Sequence, residues 1–201
     1  MARPRSFDTT AALDAAIKEF RINGFEETST DQLCEAAGVR RSSLYNAFVS
    51  KDELFIQALE RYTEVMAEAH ATVLTDVNLD GGTRLRRVVE MAVDEERAAF
   101  SGGRAAGCMI VQSYMSPTLR ARDGRIQDIL DRDLERRLEH MVHAATIGQS
   151  DGSVTPGMSP EDVAMLVITA ISGMRVTAGA GAEPDLIERV AKASLDSVLI
   201  H

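Results

Sequence analysis

Residues 28–54 read Thr28-Ser-Thr-Asp-Gln-Leu-Cys-Glu-Ala-Ala-Gly-Val-Arg-Arg-Ser-Ser-Leu-Tyr-Asn-Ala-Phe-Val-Ser-Lys-Asp-Glu-Leu54. Ser29-Thr30-Asp31-Gln32 has the form of a capping box. The serine hydroxyl takes a free amide of the first turn and the glutamine reaches back to the cap, so a helix starts here. Gly38 ends it, since glycine adopts the left-handed conformation that closes a helix. Leu44 and Phe48 carry the apolar stripe onward, which predicts a second short helix from about Arg41 to Ala47. Ser50-Lys51-Asp52-Glu53 is another capping box, opening a longer helix with Leu54, Phe55, Ala58, Leu59, Tyr62, Met66 and Val73 along one side.

The same periodicity extends in both directions. Upstream, Leu13, Ile17 and Phe20 share a helical face, with Asp8 placed as the cap and Gly24 as the exit. Downstream, Asp80-Gly81-Gly82 and Ser101-Gly102-Gly103 read as breaks around a helix with Leu85, Val88, Val89 and Val93. A short helix is expected from Ala105 to Ser113, stopped by Ser116-Pro117. Ile126, Leu130, Leu134, Leu138, Met141, Val142 and Ala145 then trace a long helix. Residues 148–159 are rich in glycine, serine and proline and read as a mobile loop before two closing helices split near Ala178–Ala182. The chain is therefore expected to be all-α.

Composition bounds the function. The 201 residues are 45% hydrophobic and 26% charged, enough to bury a sizeable core. Two cysteines, Cys34 and Cys108, are too few and too far apart for a disulfide framework or a zinc knuckle. No secretory signal follows the N-terminal arginines, and the longest apolar run, 163–174, falls short of the roughly 20 residues a span requires, so a cytoplasmic protein without a membrane partner is expected. Net charge is -9, which argues against coating nucleic acid by bulk charge. Residues 1–62 hold eight basic and ten acidic side chains, and no acid lies between Glu35 and Asp52, where Arg40, Arg41 and Lys51 stand. The charge permits a small, well-placed nucleic-acid footprint.

Two short helices around a glycine turn, the second presenting Arg40, Arg41, Ser42, Ser43, Tyr45 and Asn46, are the geometry that lets a helix enter the major groove. These guanidinium, hydroxyl and amide groups bond to base edges or phosphates. Over residues 28–54, and in the preceding Phe20-Arg-Ile-Asn-Gly24-Phe25, the chain resembles the tetracycline-repressor (TetR) family of transcription regulators. The resemblance implies an N-terminal three-helix helix-turn-helix DNA-binding domain and a C-terminal helical ligand-binding and dimerisation domain. The expected organisation is 1–50, a connecting helix over 51–80, and 81–201 for effector binding and dimerisation. It also implies that Arg41, Ser42 and Ser43 face bases, while Tyr45, Asn46 and Lys51 reach phosphates. Lys51, Ser29 and Thr30 have an independent rationale at helix N-termini, where free amides favour an anion. Arg3 and Arg5 form a candidate minor-groove arm. The chain departs from the family pattern at Arg40, Ala47 and Val49, where a small residue, an aromatic and a proline are common.

The partners so implied are a palindromic double-stranded operator, a second copy of the chain and a small-molecule effector. Ala170, Gly173, Ala178 and Gly179 would allow close helix approach between subunits, or equally tight packing within one. Phe100, Cys108, Met109, Gln112, Tyr114, Met141 and Arg175 are candidates for an adaptable effector cavity, and methionine and aromatic residues fill ordinary cores just as well. Cys108, expected in the first turn of a helix near Arg104, is a candidate electrophile or oxidant sensor, with inert packing as the alternative. His140 and His143, three residues apart, most simply occupy a solvated face, so no metal and no cofactor are expected. The competing readings are a small helical enzyme using Cys108 with a histidine, and a helical interaction scaffold without DNA binding. No nucleophile elbow or phosphate-cradling motif favours the enzyme.

Overall fold

The computed structural model describes residues 8–100 and 107–200, and among these the regular structure is ten helices with one isolated bridge between Val154 and Leu199. Two compact units emerge. One takes the chain to Thr63 together with Cys108–Ile129; the other takes Glu64–Gly107 and everything from Leu130 on.

The first unit begins with α1 (Thr9–Glu27), where the Asp8 carboxylate accepts from the Ala11 amide as expected of a cap. Its buried face is Ala12, Ala16 and Phe20; Leu13 and Ile17 lie at the margin of the core. At Gly24 (φ 74°) the helix breaks its direction, a conformation that favours glycine. Helices α2 (Thr30–Ala37) and α3 (Arg41–Phe48) follow, joined through Gly38 in the left-handed region. Both halves of the Ser29–Gln32 capping box form. Leu33, Leu44 and Phe48 are fully buried, and each such side chain contributes about 1.5–3 kcal/mol by leaving water. Helix α4 (Lys51–Leu74) brings Phe55 edge-on to Phe20 and Phe25, at 5.0 and 5.1 Å between ring centres. Helices α6 (Met109–Tyr114) and α7 (Pro117–Arg120) complete this unit. Helix α6 ends just before Ser116-Pro117, as expected, and Pro117 then occupies the first position of α7, where the missing N–H is harmless, with Ser116 as the cap.

In the second unit α5 (Gly81–Ala99), α9 (Pro160–Gly179) and α10 (Pro184–Leu195) pack around Leu85, Val88, Val167, Ile171, Ile187 and Leu195. Helix α8 (Gly124–Asp151) supplies Met141, Ala144 and Ala145 to the same core. Gly81 and Gly82 are not a break but the first turn of α5, capped by Asp80. Glycine is needed there because a Cβ on Gly81 would strike the backbone of Ala144 and Gly148 on α8. The expected loop is also shorter and better held. Helix α8 runs to Asp151, and the following segment is pinned by buried Val154, by Thr155 N–H donating to the Val198 carbonyl and by Ile200 N–H donating to the Ser153 carbonyl, both at 2.9 Å. Helix α9 is long and apolar enough to cross a membrane by length and composition, yet its inward face is core.

Candidate nucleic-acid interface

Helix α3 is two-sided. Leu44 and Phe48 point inward, while Arg40, Arg41, Ser42 and Asn46 are exposed and Ser43 and Tyr45 half-buried. The outer face is pre-arranged by α2. The Tyr45 and Thr30 hydroxyls share a hydrogen bond at 3.1 Å, and the Arg41 guanidinium lies 5.8 Å from the Tyr45 ring centre and 3.8 Å from the Asp31 carboxylate. The Thr30 hydroxyl, then Arg41, hold the Tyr45 phenol below its usual pKa. The Arg41 pKa is raised, first by its bond to Tyr45. A guanidinium on an aromatic face loses less rotamer freedom when it bonds a base edge or phosphate.

The other predicted positions are placed differently. Ser29 is an exposed cap whose hydroxyl and amide are both engaged with Gln32. The Lys51 ammonium donates to the carbonyls of Phe25 (2.7 Å) and Thr28 (2.9 Å) and stands 4.3 Å from the Phe25 ring centre. It therefore ties α4 to the end of α1. Arg3 and Arg5 lie outside the described residues, as does Arg104.

The candidate effector residues are divided between the units. Cys108, Met109, Gln112 and Tyr114 belong to the first, and Phe100, Met141 and Arg175 to the second. Cys108 is buried at the cap position of α6, its sulfur accepting from the Tyr62 hydroxyl at 3.7 Å. Gln112 donates to the Arg21 carbonyl, and Phe100 closes α5. Met141 is wholly buried in the core. Arg175 is buried and paired with Glu95 (2.6 Å) and Glu96 (2.7 Å). His140 is half-buried and His143 exposed on α8; among the described residues no group of three or more metal-ligating side chains forms.

Three features escaped the sequence reading. His70 is buried on α4 with neither ring nitrogen hydrogen-bonded, Asp133 is buried beside Arg137 at 2.7 Å, and Arg122 stands 5.0 Å from the Phe25 ring centre. His70 falls four residues from both Met66 and Leu74, so the apolar stripe of α4 already marked it as inward. On α9, Ala178 packs in the core, Ala170 is half-buried and Gly173 and Gly179 are exposed beside Met165 and Val176. Leu186 and Val190 are exposed in the same way on α10.

Residues 12–58 match the pattern of "Bacterial regulatory proteins, tetR family". The chain is 29% identical over 204 residues to the HTH-type transcriptional repressor ComR of Escherichia coli K12, covering 96% of this chain and 90% of that one. It is 33% identical over 125 residues to the HTH-type transcriptional repressor BdcR of the same organism, covering 62% and 61% of the two chains. Among solved structures, the TetR family regulator CifR, as a cysteine mutant complexed with 26-bp operator DNA, superposes with TM-score 0.78 at 25% identity, covering 97% of this chain and 99% of that one. A TetR family regulator from Agrobacterium tumefaciens shares the fold at TM-score 0.84 and 16% identity, covering 98% and 100%. The matched segment is the one whose capping box, glycine turn and two-sided helix are described above, and the similarity to ComR extends through the helices that follow: residues 12–58 carry the pattern of the tetR family of bacterial regulatory proteins.

Proposed function

We propose that the protein is a cytoplasmic transcriptional repressor that binds a palindromic operator as a homodimer and is released by a small-molecule or electrophile effector. The observation that carries this reading is α3, an eight-residue helix with an apolar back locked into the core and an outer face of Arg41, Ser42 and Asn46 standing free of it. Arg41, Ser42 and Ser43 are assigned to bases, Tyr45, Asn46 and Arg40 to phosphates, and Lys51 to the support behind them. Arg3 and Arg5 are assigned to the minor groove. Two such helices one helical turn apart, roughly 34–36 Å, read a palindrome. The second copy would cover the open face of α9 and α10, where Met165, Val176, Leu186 and Val190 are exposed with Gly173 among them. The effector would act on residues 81–201 and favour a state whose two recognition helices no longer match that spacing. No catalytic role is part of the proposal.

A gel-shift titration against the DNA upstream of its own gene tests the reading. Sequence-specific retardation is expected, reversed by one class of metabolite or electrophile. Binding no tighter than to unrelated DNA would overturn it. A Cys108→Ser protein that still releases DNA on treatment with electrophiles would remove that cysteine from sensing.

A further inference from the structure

Helix α1 kinks at Gly24, and the next residue, Phe25, begins its last turn, four residues before the Ser29 cap of α2. The direction in which Phe25 is held therefore sets how the α2–α3 pair is hung. Its ring rests against Phe20 and Phe55. Two cations approach the same ring, the Lys51 ammonium at 4.3 Å and the Arg122 guanidinium at 5.0 Å from its centre. Each is anchored a second time. Lys51 donates to the Phe25 and Thr28 carbonyls, and Arg122 donates to the Asp52 carboxylate at 3.1 Å and pairs with Glu26 at 3.5 Å. Asp52 adjoins Lys51 in the first turn of α4, and Glu26 adjoins Phe25, so the contacts close a ring around the junction. A cation over an aromatic face and a charge-assisted hydrogen bond both prefer a defined geometry.

We propose that Arg122 is a positioning residue for operator reading, clamping Phe25 together with Lys51 and so fixing the α1–α2 junction. This rests on the DNA-binding reading given above. Arg122 comes from the turn between α7 and α8, remote in sequence from the helix-turn-helix it braces. Its side chain is 44% exposed, so truncating it opens no cavity in the core. Its loss changes where the reading helices stand rather than whether the unit folds.

The test compares wild type, Arg122→Ala and Arg122→Lys in two measurements: operator affinity across a salt series, and hydrogen exchange of the 25–34 backbone without DNA. Arg122→Ala is expected to weaken operator binding roughly tenfold, about 1.4 kcal/mol, with an unchanged salt slope. Exchange over 25–34 should rise several-fold, and Arg122→Lys should restore part of both, because it keeps the charge over the ring. A slope reduced by about 0.9 would show Arg122 on a phosphate and overturn the positioning role. Unchanged exchange with intact affinity would overturn the clamp. Raised exchange in the variant of a protein that shows no operator preference would instead overturn the DNA-binding reading and leave the clamp standing.

Discussion

In the unit that carries α2 and α3, Arg40 and Arg41 are exposed, and Arg61, Arg122 and Arg125 pair with acids at the surface. In the other unit Arg175 is 5% exposed and held by Glu95 and Glu96, and Asp133, 1% exposed, lies beside Arg137. Surface pairs contribute about 0–1 kcal/mol because water and salt screen them. Buried ones carry desolvation of several kcal/mol per ion, offset only while every partner is present. The same side chain thus serves different ends. On α3 it is nearly neutral to stability and available to a ligand; between α5 and α9 it is a structural commitment that no ligand can share without breaking a pair.

The sharpest break of this contrast is Arg175→Met. It removes the cation that buried Glu96 and half-buried Glu95 pair with, and a loss of about 3–5 kcal/mol is expected in urea unfolding at pH 7. A loss under about 1 kcal/mol would mean that these acids accept another arrangement and that the interior is not committed.

His70 sharpens the contrast through pH. Burial above all, then the Arg137 and Arg175 guanidiniums, lowers its pKa from 6.5 to about 4, with Glu95 opposing. The folded imidazole stays neutral where the unfolded one takes a proton, so its contribution is fully present above about pH 6.5 and is lost as pH falls toward 4. Across that window the loss amounts to about 3 kcal/mol. Asp133, whose pKa burial raises, works in the opposite sense, as its carboxyl is easier to protonate in the fold. The wild-type curve mixes the two; its difference from His70→Leu isolates the imidazole. The leucine variant should lose the decline between pH 6.5 and 4 and, with two unpartnered nitrogens gone, unfold no earlier than wild type at pH 7. The surface acids Asp14 and Glu53, lowered first by hydrogen bonds from Arg61 and Gln57, are too exposed for a comparable effect.

Arg41→Ala is the converse experiment. Stability should stay within about 0.5 kcal/mol of wild type, while operator binding falls by about 1–3 kcal/mol, or roughly 5- to 150-fold. Equal losses in both measurements would erase the distinction between reading face and structural charge.

Local signals made much of the molecule legible. The Ser29–Gln32 box, the Gly38 turn and the apolar back of α3 each depend on residues a few positions apart, so spacing suffices to find them. The features that escaped depend on a distant neighbour. Nothing near Gly81 announces that α8 crosses it, so two glycines in a helix read as a break. Val154 sits in a Gly/Ser-rich stretch and is buried where it packs against Gly148 of α8 and the chain end returns to pair with it. At the candidate site the outward face of α3 was readable. The engagement of Lys51 with the end of α1, and of Arg122 with Phe25, was not, because helix-terminal position gives no hint of a partner over 20 or nearly 100 residues away.

The smallest expected effect lies where the reading helix ends. Val49 adopts φ 62°, ψ -49°, and the Ser50 amide donates to the Phe48 carbonyl at 2.6 Å, closing a tight three-residue turn that is rare and strained. A β-branched residue pays most for a positive φ, and here no packing offsets it, since Val49 is 78% exposed. Val49→Gly should therefore stabilise the protein by about 1 kcal/mol, the strain relieved outweighing the added freedom of the unfolded chain. Proline, common at this position in the family, is ruled out by the observed turn: it requires φ near -65° and lacks the N–H that Val49 donates to the Tyr45 carbonyl at 2.9 Å. Val49→Pro should lose more than glycine gains, and urea midpoints of the two variants measure both. If proline stabilised instead, α3 would leave by another turn, and the Lys51 tie that follows two residues later would have to be rebuilt with it.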